Sequence, residues 1–124
     1  LRDGSTAIQT QTHGHVFKPG EHVQYSLSNK WTVIHCTCPS SDRYTMWKGQ
    51  ILKMMTMLGP LADHVDVIEL APERLHFKAN WDKPLIEGAL LLVDHQGYLA
   101  LGYDYHKEPK RAFIEVKKLL KATV

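Results

Sequence analysis

Cysteine is scarce in this chain. It occurs twice in 124 residues, at Cys36 and Cys38, with one residue between. With no second close pair, a structural zinc site lacks its ligands. An excess of one charge is also missing: 15 Lys and Arg against 13 Asp and Glu leave a net charge of +2. So small a balance argues against nucleic acid or an anionic membrane surface as the partner. No apolar run approaches the roughly 18 residues needed to span a bilayer. Internal repeats, low-complexity tracts, a Ser-His-Asp pattern, a phosphate-binding glycine loop and paired carboxylates are all lacking.

What remains suits one compact α/β domain with a real core. Residues 1–12 are polar with few apolar anchors and read as a flexible lead-in; the domain is expected over 13–124. Two short segments, His15–Phe17 and His22–Tyr25, flank Pro19-Gly20, a turn signal, and predict an N-terminal β-hairpin. Lys30–Cys36 is β-rich and almost continuously apolar, as a strand covered on both faces should be. Ser40, Ser41 and Asp42 are candidate N-caps. Trp47, Ile51, Met54, Met55 and Leu58 follow at helical spacing, and Gly59-Pro60 ends that helix. His64–Leu70 is a second strand, which completes a right-handed βαβ unit with a parallel pair.

Ala71–Lys83 is irregular or weakly helical. Ala89–Asp94 and Tyr98–Tyr103 form an antiparallel hairpin turned at Gly97. Asp94 is read there as a turn residue. Glu108-Pro109 opens a last helix whose apolar stripe is Phe113, Val116, Leu119 and Leu120. The cluster Lys107, Lys110, Arg111, Lys117, Lys118 and Lys121 is its solvated side. A βαβ unit followed by a ββα unit is the thioredoxin-like arrangement, which places reactive cysteines where the first strand enters its helix.

Cys36 and Cys38 occupy that place, and the helix N-terminus is expected to favour thiolate over thiol. They are the candidate catalytic thiols. As a redox couple they would close a small, strained ring, easily reduced. As a metal site, two thiolates can hold Cu(I). His35 adjoins them but, on a strand, points to the opposite face from Cys36. The plain alternative is two small buried residues at a strand end. His13 and His15, with His22, could make a surface site for Cu(II) or Zn(II), or be exposed polar residues of the lead-in. His76, His95 and His106 are isolated, and Met54 and Met55 read as core rather than as copper ligands.

In its stretches Lys30–His35, Leu91–Leu101 and Pro109–Leu120, the chain resembles the Sco/SenC family of thioredoxin-like proteins. More particularly it looks like the short membrane-anchored bacterial relatives, in which a segment like Thr12-His13-Gly14 follows the anchor helix. The resemblance implies an extracytoplasmic protein on the periplasmic side of the inner membrane, anchored by an N-terminal helix upstream of Leu1. It implies copper handling or thiol–disulfide maintenance during cytochrome c oxidase assembly, with Cu(I) at Cys36 and Cys38. An oxidase subunit or another assembly protein would be the partner. The family spaces its cysteines by three residues before proline, whereas this chain has Cys36-Thr37-Cys38-Pro39. A register set by the helix instead puts Ser40 and Tyr44 at the family positions. The family's copper-binding histidine falls near Ile86, and no histidine stands between His76 and His95. These departures favour a second reading, a degenerate thioredoxin-like module acting by protein–protein interaction.

Overall fold

A computed structural model describes residues 14–16, 29–38, 40–74 and 88–123. The strands are β1 His15–Val16, β2 Trp31–Cys36, β3 Val65–Leu70, β4 Gly88–Val93 and β5 Leu99–Asp104; the helices are α1 Tyr44–Met57 and α2 Pro109–Thr123. Short 3-10 turns occupy Gly59–His64 and Pro72–Arg74. All strands join one mixed sheet in the order β1-β5-β4-β2-β3.

The interior strand β2 pairs parallel with the edge strand β3 from Trp31↔Val65 to Cys36↔Leu70. On its other side it pairs antiparallel with β4, Val33 opposite Leu92 and Ile34 opposite Leu91. β4 and β5 form the expected antiparallel hairpin. At its turn, Asp94 Oδ1 accepts from the backbone N–H of Gln96 and of Tyr98, both at 2.9 Å. Gly97 supplies the positive φ of 92° that a side chain would strain.

β2 is buried along its whole length, as its almost continuously apolar sequence requires. Trp31 and Val33 face the main core, where Trp47, Ile51, Met54 and Leu58 meet Phe113, Val116, Leu119 and Leu120. Both helices therefore pack on this side of the sheet. Trp47 is fully buried and meets the Phe113 ring edge-on at a centroid distance of 6.2 Å. Ile34, Leu91 and Val93 alternate to the other face and are also completely buried.

Several expectations change in detail. β1 pairs antiparallel with β5 at the sheet edge, His15 opposite Gly102. Its expected hairpin partner, His22–Tyr25, lies outside the described residues, as do Ile86, most of Ala71–Lys83 and the whole lead-in 1–12. Gly14 fits here because a Cβ would stand 2.8 Å from the Gly102 carbonyl oxygen. No side chain caps α1. The residue before it, Arg43, is itself helical in conformation. The chain enters α1 through successive turns, so the Tyr44 N–H meets the Ser41 carbonyl at 3.2 Å and needs no side-chain acceptor. Ser41 Oγ accepts instead from the Arg43 N–H at 3.2 Å.

Candidate functional site

The C-terminal end of β2 gathers the chemistry. In open α/β sheets, the carboxyl ends of the parallel strands are where ligands bind, because the connections leave a crevice there. Cys36 is the last residue of β2, and Cys38 stands in the loop beyond it. Both thiols are free. Strand pairing persists just past Cys36, with Thr37 N–H on the Leu70 carbonyl at 2.9 Å. The chain then turns, and Ser41 N–H bonds the Cys38 carbonyl at 2.9 Å.

That turn separates the environments of the two thiols. Cys36 follows the alternation of β2 onto the face opposite Val33 and is 0% exposed. Cys38 is half-buried against the helix-side core, its Sγ 3.8 Å from Ser40 Oγ. Burial pushes the Cys36 thiol up to about 12, and the neighbouring Cys38 adds to the effect. The expectation of thiols activated at a helix N-terminus is therefore not met at Cys36. α1 begins only at Tyr44, and the field of a helix end fades within a turn.

On the helix side of the same strand end lies a group that sequence reading did not assemble. His35 is 2% exposed. Its ring stacks on Tyr44 at 5.0 Å between centroids, 14° from parallel. Its Nε2 stands 3.4 Å from the Tyr105 hydroxyl. That hydroxyl donates to the Cys36 carbonyl oxygen, so toward His35 it acts as acceptor, which assigns the imidazole proton to Nε2. Tyr44 donates to Glu69 Oε1, and Lys48 Nζ stands 3.5 Å from Glu69 Oε2.

The electrostatics follow from these contacts. Burial lowers the His35 pKa against the opposing pull of Glu69, so the ring is held neutral. The Tyr44 hydrogen bond and Lys48 hold the Glu69 carboxyl below its ordinary range. The same bond to Glu69 raises the Tyr44 phenol. Tyr105 is raised as well, first by burial and then by the two cysteines. Tyr105 is fixed through its backbone: Arg43 Nε and Nη2 reach the carbonyls of Tyr105 and Lys107, and Trp47 Nε1 donates to the Tyr105 carbonyl at 3.3 Å.

The other sequence candidates lie elsewhere. His15 is on β1, while His13, His22 and His76 fall outside the described residues. The His95 ring lies 6.1 Å from that of Trp31, and exposed His106 donates its backbone N–H to Asp104 Oδ1 at 2.8 Å. Among the described residues no cluster of three or more His, Cys, Asp or Glu side chains is placed to hold a metal ion, and no helix is long and apolar enough to cross a membrane. A two-thiolate site at Cys36 and Cys38 is a smaller donor set than such a cluster.

No protein-family model, no curated protein and no solved structure matches the chain. The class that the observed fold defines is an α/β protein with a mixed sheet and both described helices on one face.

Proposed function

We propose that this chain is a thioredoxin-like protein of the Sco/SenC kind, acting outside the cytoplasm through Cys36 and Cys38. Its role on this reading is copper handling or thiol–disulfide maintenance during cytochrome c oxidase assembly. The sheet order β3-β2-β4-β5, with β2 and β3 parallel and β4 reversed, supports the thioredoxin-like part. The observation that carries the site is the unequal burial of the two thiols: Cys38 half-buried in the loop, Cys36 wholly buried at the end of β2.

Such a pair divides the labour of thiol exchange. The Cys38 thiolate attacks one sulfur of a partner disulfide and releases the other as a thiolate. Cys36, deprotonated as it leaves its burial, attacks Cys38 Sγ and releases the second partner thiolate. The partner gains two electrons and the pair becomes a disulfide. The same two sulfurs, both deprotonated, suit Cu(I). The test is Cu(I) titration of the reduced protein against a competing chelator, beside a Cys36→Ser/Cys38→Ser variant. Tight one-to-one binding that the variant loses supports copper handling; binding equal to the variant's discards it and leaves thiol exchange to be assayed on a disulfide substrate.

One observation favours the second reading, a module that works by protein–protein interaction without thiol chemistry. A Cys36 thiol pushed up to about 12 is a poor nucleophile and yields its proton to a metal reluctantly. On that reading the double Cys→Ser variant keeps full function in cells.

A further inference from the structure

Away from the thiols, α1 and α2 leave a groove of about 480 Å³ between them. That size falls in the range of small-molecule sites. Its floor is Met54, Leu58 and Phe113. Its walls are Met57 and Ile114, which are 67% and 62% exposed. Lys53, Lys110 and Lys117 stand around this apolar trough, and no Asp or Glu lines it. The groove is thus apolar within and positive at its margin, on a chain whose overall net charge is only +2.

The charges have an order. α1 and α2 run in the same direction, since β2 and β5 are each antiparallel to β4 and each leads into one of the helices. Phe113 meets Trp47, and four residues further along α2 Lys117 Nζ reaches the Met57 carbonyl at 3.4 Å. Lys117 is therefore engaged at the C-terminal end of α1. Lys110, two turns earlier on α2, and Gln50 and Lys53, two turns and one turn before Met57 on α1, line the groove on the side away from that end. One end of the trough offers two ammonium groups and an amide, and the rest offers methionine, leucine, isoleucine and phenylalanine. Methionine adapts its shape to varied apolar partners.

We propose that this groove binds a single-chain anionic amphiphile of the fatty-acid class, its hydrocarbon tail along Met54, Met57 and Ile114 and its carboxylate beside Lys53 and Lys110. The argument is charge complementarity joined to size. An apolar tail covers Met57 and Ile114, and a carboxylate answers cations that no acidic residue of the groove balances. The site is independent of the thiols.

The test is titration of the whole chain with dodecanoate below its micelle concentration, followed by amide chemical shifts. The comparison ligand is dodecyltrimethylammonium, with the same tail and the opposite head charge. The expected result is one saturable site, shifts confined to the groove-facing parts of α1 and α2, and binding of dodecanoate about tenfold tighter than of the cation. Ile114→Glu, an exposed position where folding is spared, abolishes binding, and Lys110→Glu removes the preference for the anion. Equal binding of the two ligands, or binding that Ile114→Glu leaves intact, overturns the proposal. So does binding seen only to anionic phosphatidylglycerol vesicles or to an acidic amphipathic peptide, with none to monomeric dodecanoate.

Discussion

The Tyr105 hydroxyl donates to the Cys36 carbonyl oxygen and thereby ties the end of β2 to the loop that leaves β5. Both residues are buried, so the bond has no competitor in water. It also turns an oxygen lone pair toward His35, which makes one phenol the link between the thiol strand and the imidazole beneath α1.

Tyr105→Phe keeps the ring but strands the Cys36 carbonyl and His35 Nε2 in a buried site. Leaving buried polar groups unpaired costs about 1–3 kcal/mol. Urea unfolding should therefore show a lower midpoint with an unchanged slope. A loss below about 0.5 kcal/mol, the range of ordinary surface substitutions, would mean that the bond contributes nothing to the fold.

The hairpin turn has a sharper test. Asp94 Oδ1 satisfies two backbone N–H groups, those of Gln96 and Tyr98, and Asp94 is itself 2% exposed. Asp94→Ala should cost about 1–3 kcal/mol in thermal or urea unfolding. Asp94→Asn retains an acceptor oxygen and should recover most of that loss. If the two variants are equally destabilised, the carboxylate acts through its charge rather than through these bonds.

How far such features can be read from sequence depends on the distance over which they are made. The strands and α2 are legible because their signals are local: apolar runs for β2, β4 and β5, a three-and-four spacing for Phe113, Val116, Leu119 and Leu120. Asp94 and Gly97 announce their turn for the same reason. The start of α1 misleads because three plausible caps precede it, while backbone turns already satisfy its first N–H. The state of Cys36 is not local at all. Its burial depends on the place of β2 between β3 and β4, and its carbonyl is held by a tyrosine that follows β5, two strands away. His35, Tyr44 and Glu69 meet only because the parallel register sets His35 beside Glu69 and α1 folds back over them. The signal that could have found the group was the alternation of β2, which aims His35 at the helix side.

His35 makes the fold sensitive to mild acid. Its folded pKa is lowered, chiefly by burial, from the ordinary 6.5, so below that value the unfolded chain binds a proton that the folded one resists. Stability is present above about pH 6.5 and is lost as pH falls toward the folded pKa, at up to about 1.4 kcal/mol per pH unit. His35→Phe should flatten this part of the stability profile. Glu69→Gln removes the nearest negative charge and should lower the His35 pKa further, visible in the titration of its Hε1 resonance. An unchanged His35 titration in Glu69→Gln would refute the coupling.

The thiols should differ in reactivity and should impose an alkaline limit on stability. With Cys38 half-buried and Cys36 closed off, a disulfide reagent at pH 8 should modify one thiol rapidly, and the second only at the rate of opening or unfolding. Cys38→Ser should abolish the fast phase. The linkage for Cys36 has the opposite sign to that of His35. Its folded pKa stands at about 12 against an ordinary value of 9.0, so between these values the unfolded chain has lost a proton that the folded chain retains. Stability is complete below about pH 9 and falls as pH rises toward 12, again by up to about 1.4 kcal/mol per unit. The raised phenol of Tyr105 adds a loss of the same sign above its ordinary value of 10.0. Cys36→Ala should remove the part of the decline that begins near pH 9 and leave the part that belongs to Tyr105. A Cys36→Ala profile that superimposes on that of the unmodified chain would mean that the thiol titrates alike in the folded and unfolded chain, and Cys36 would then not be a guarded thiol.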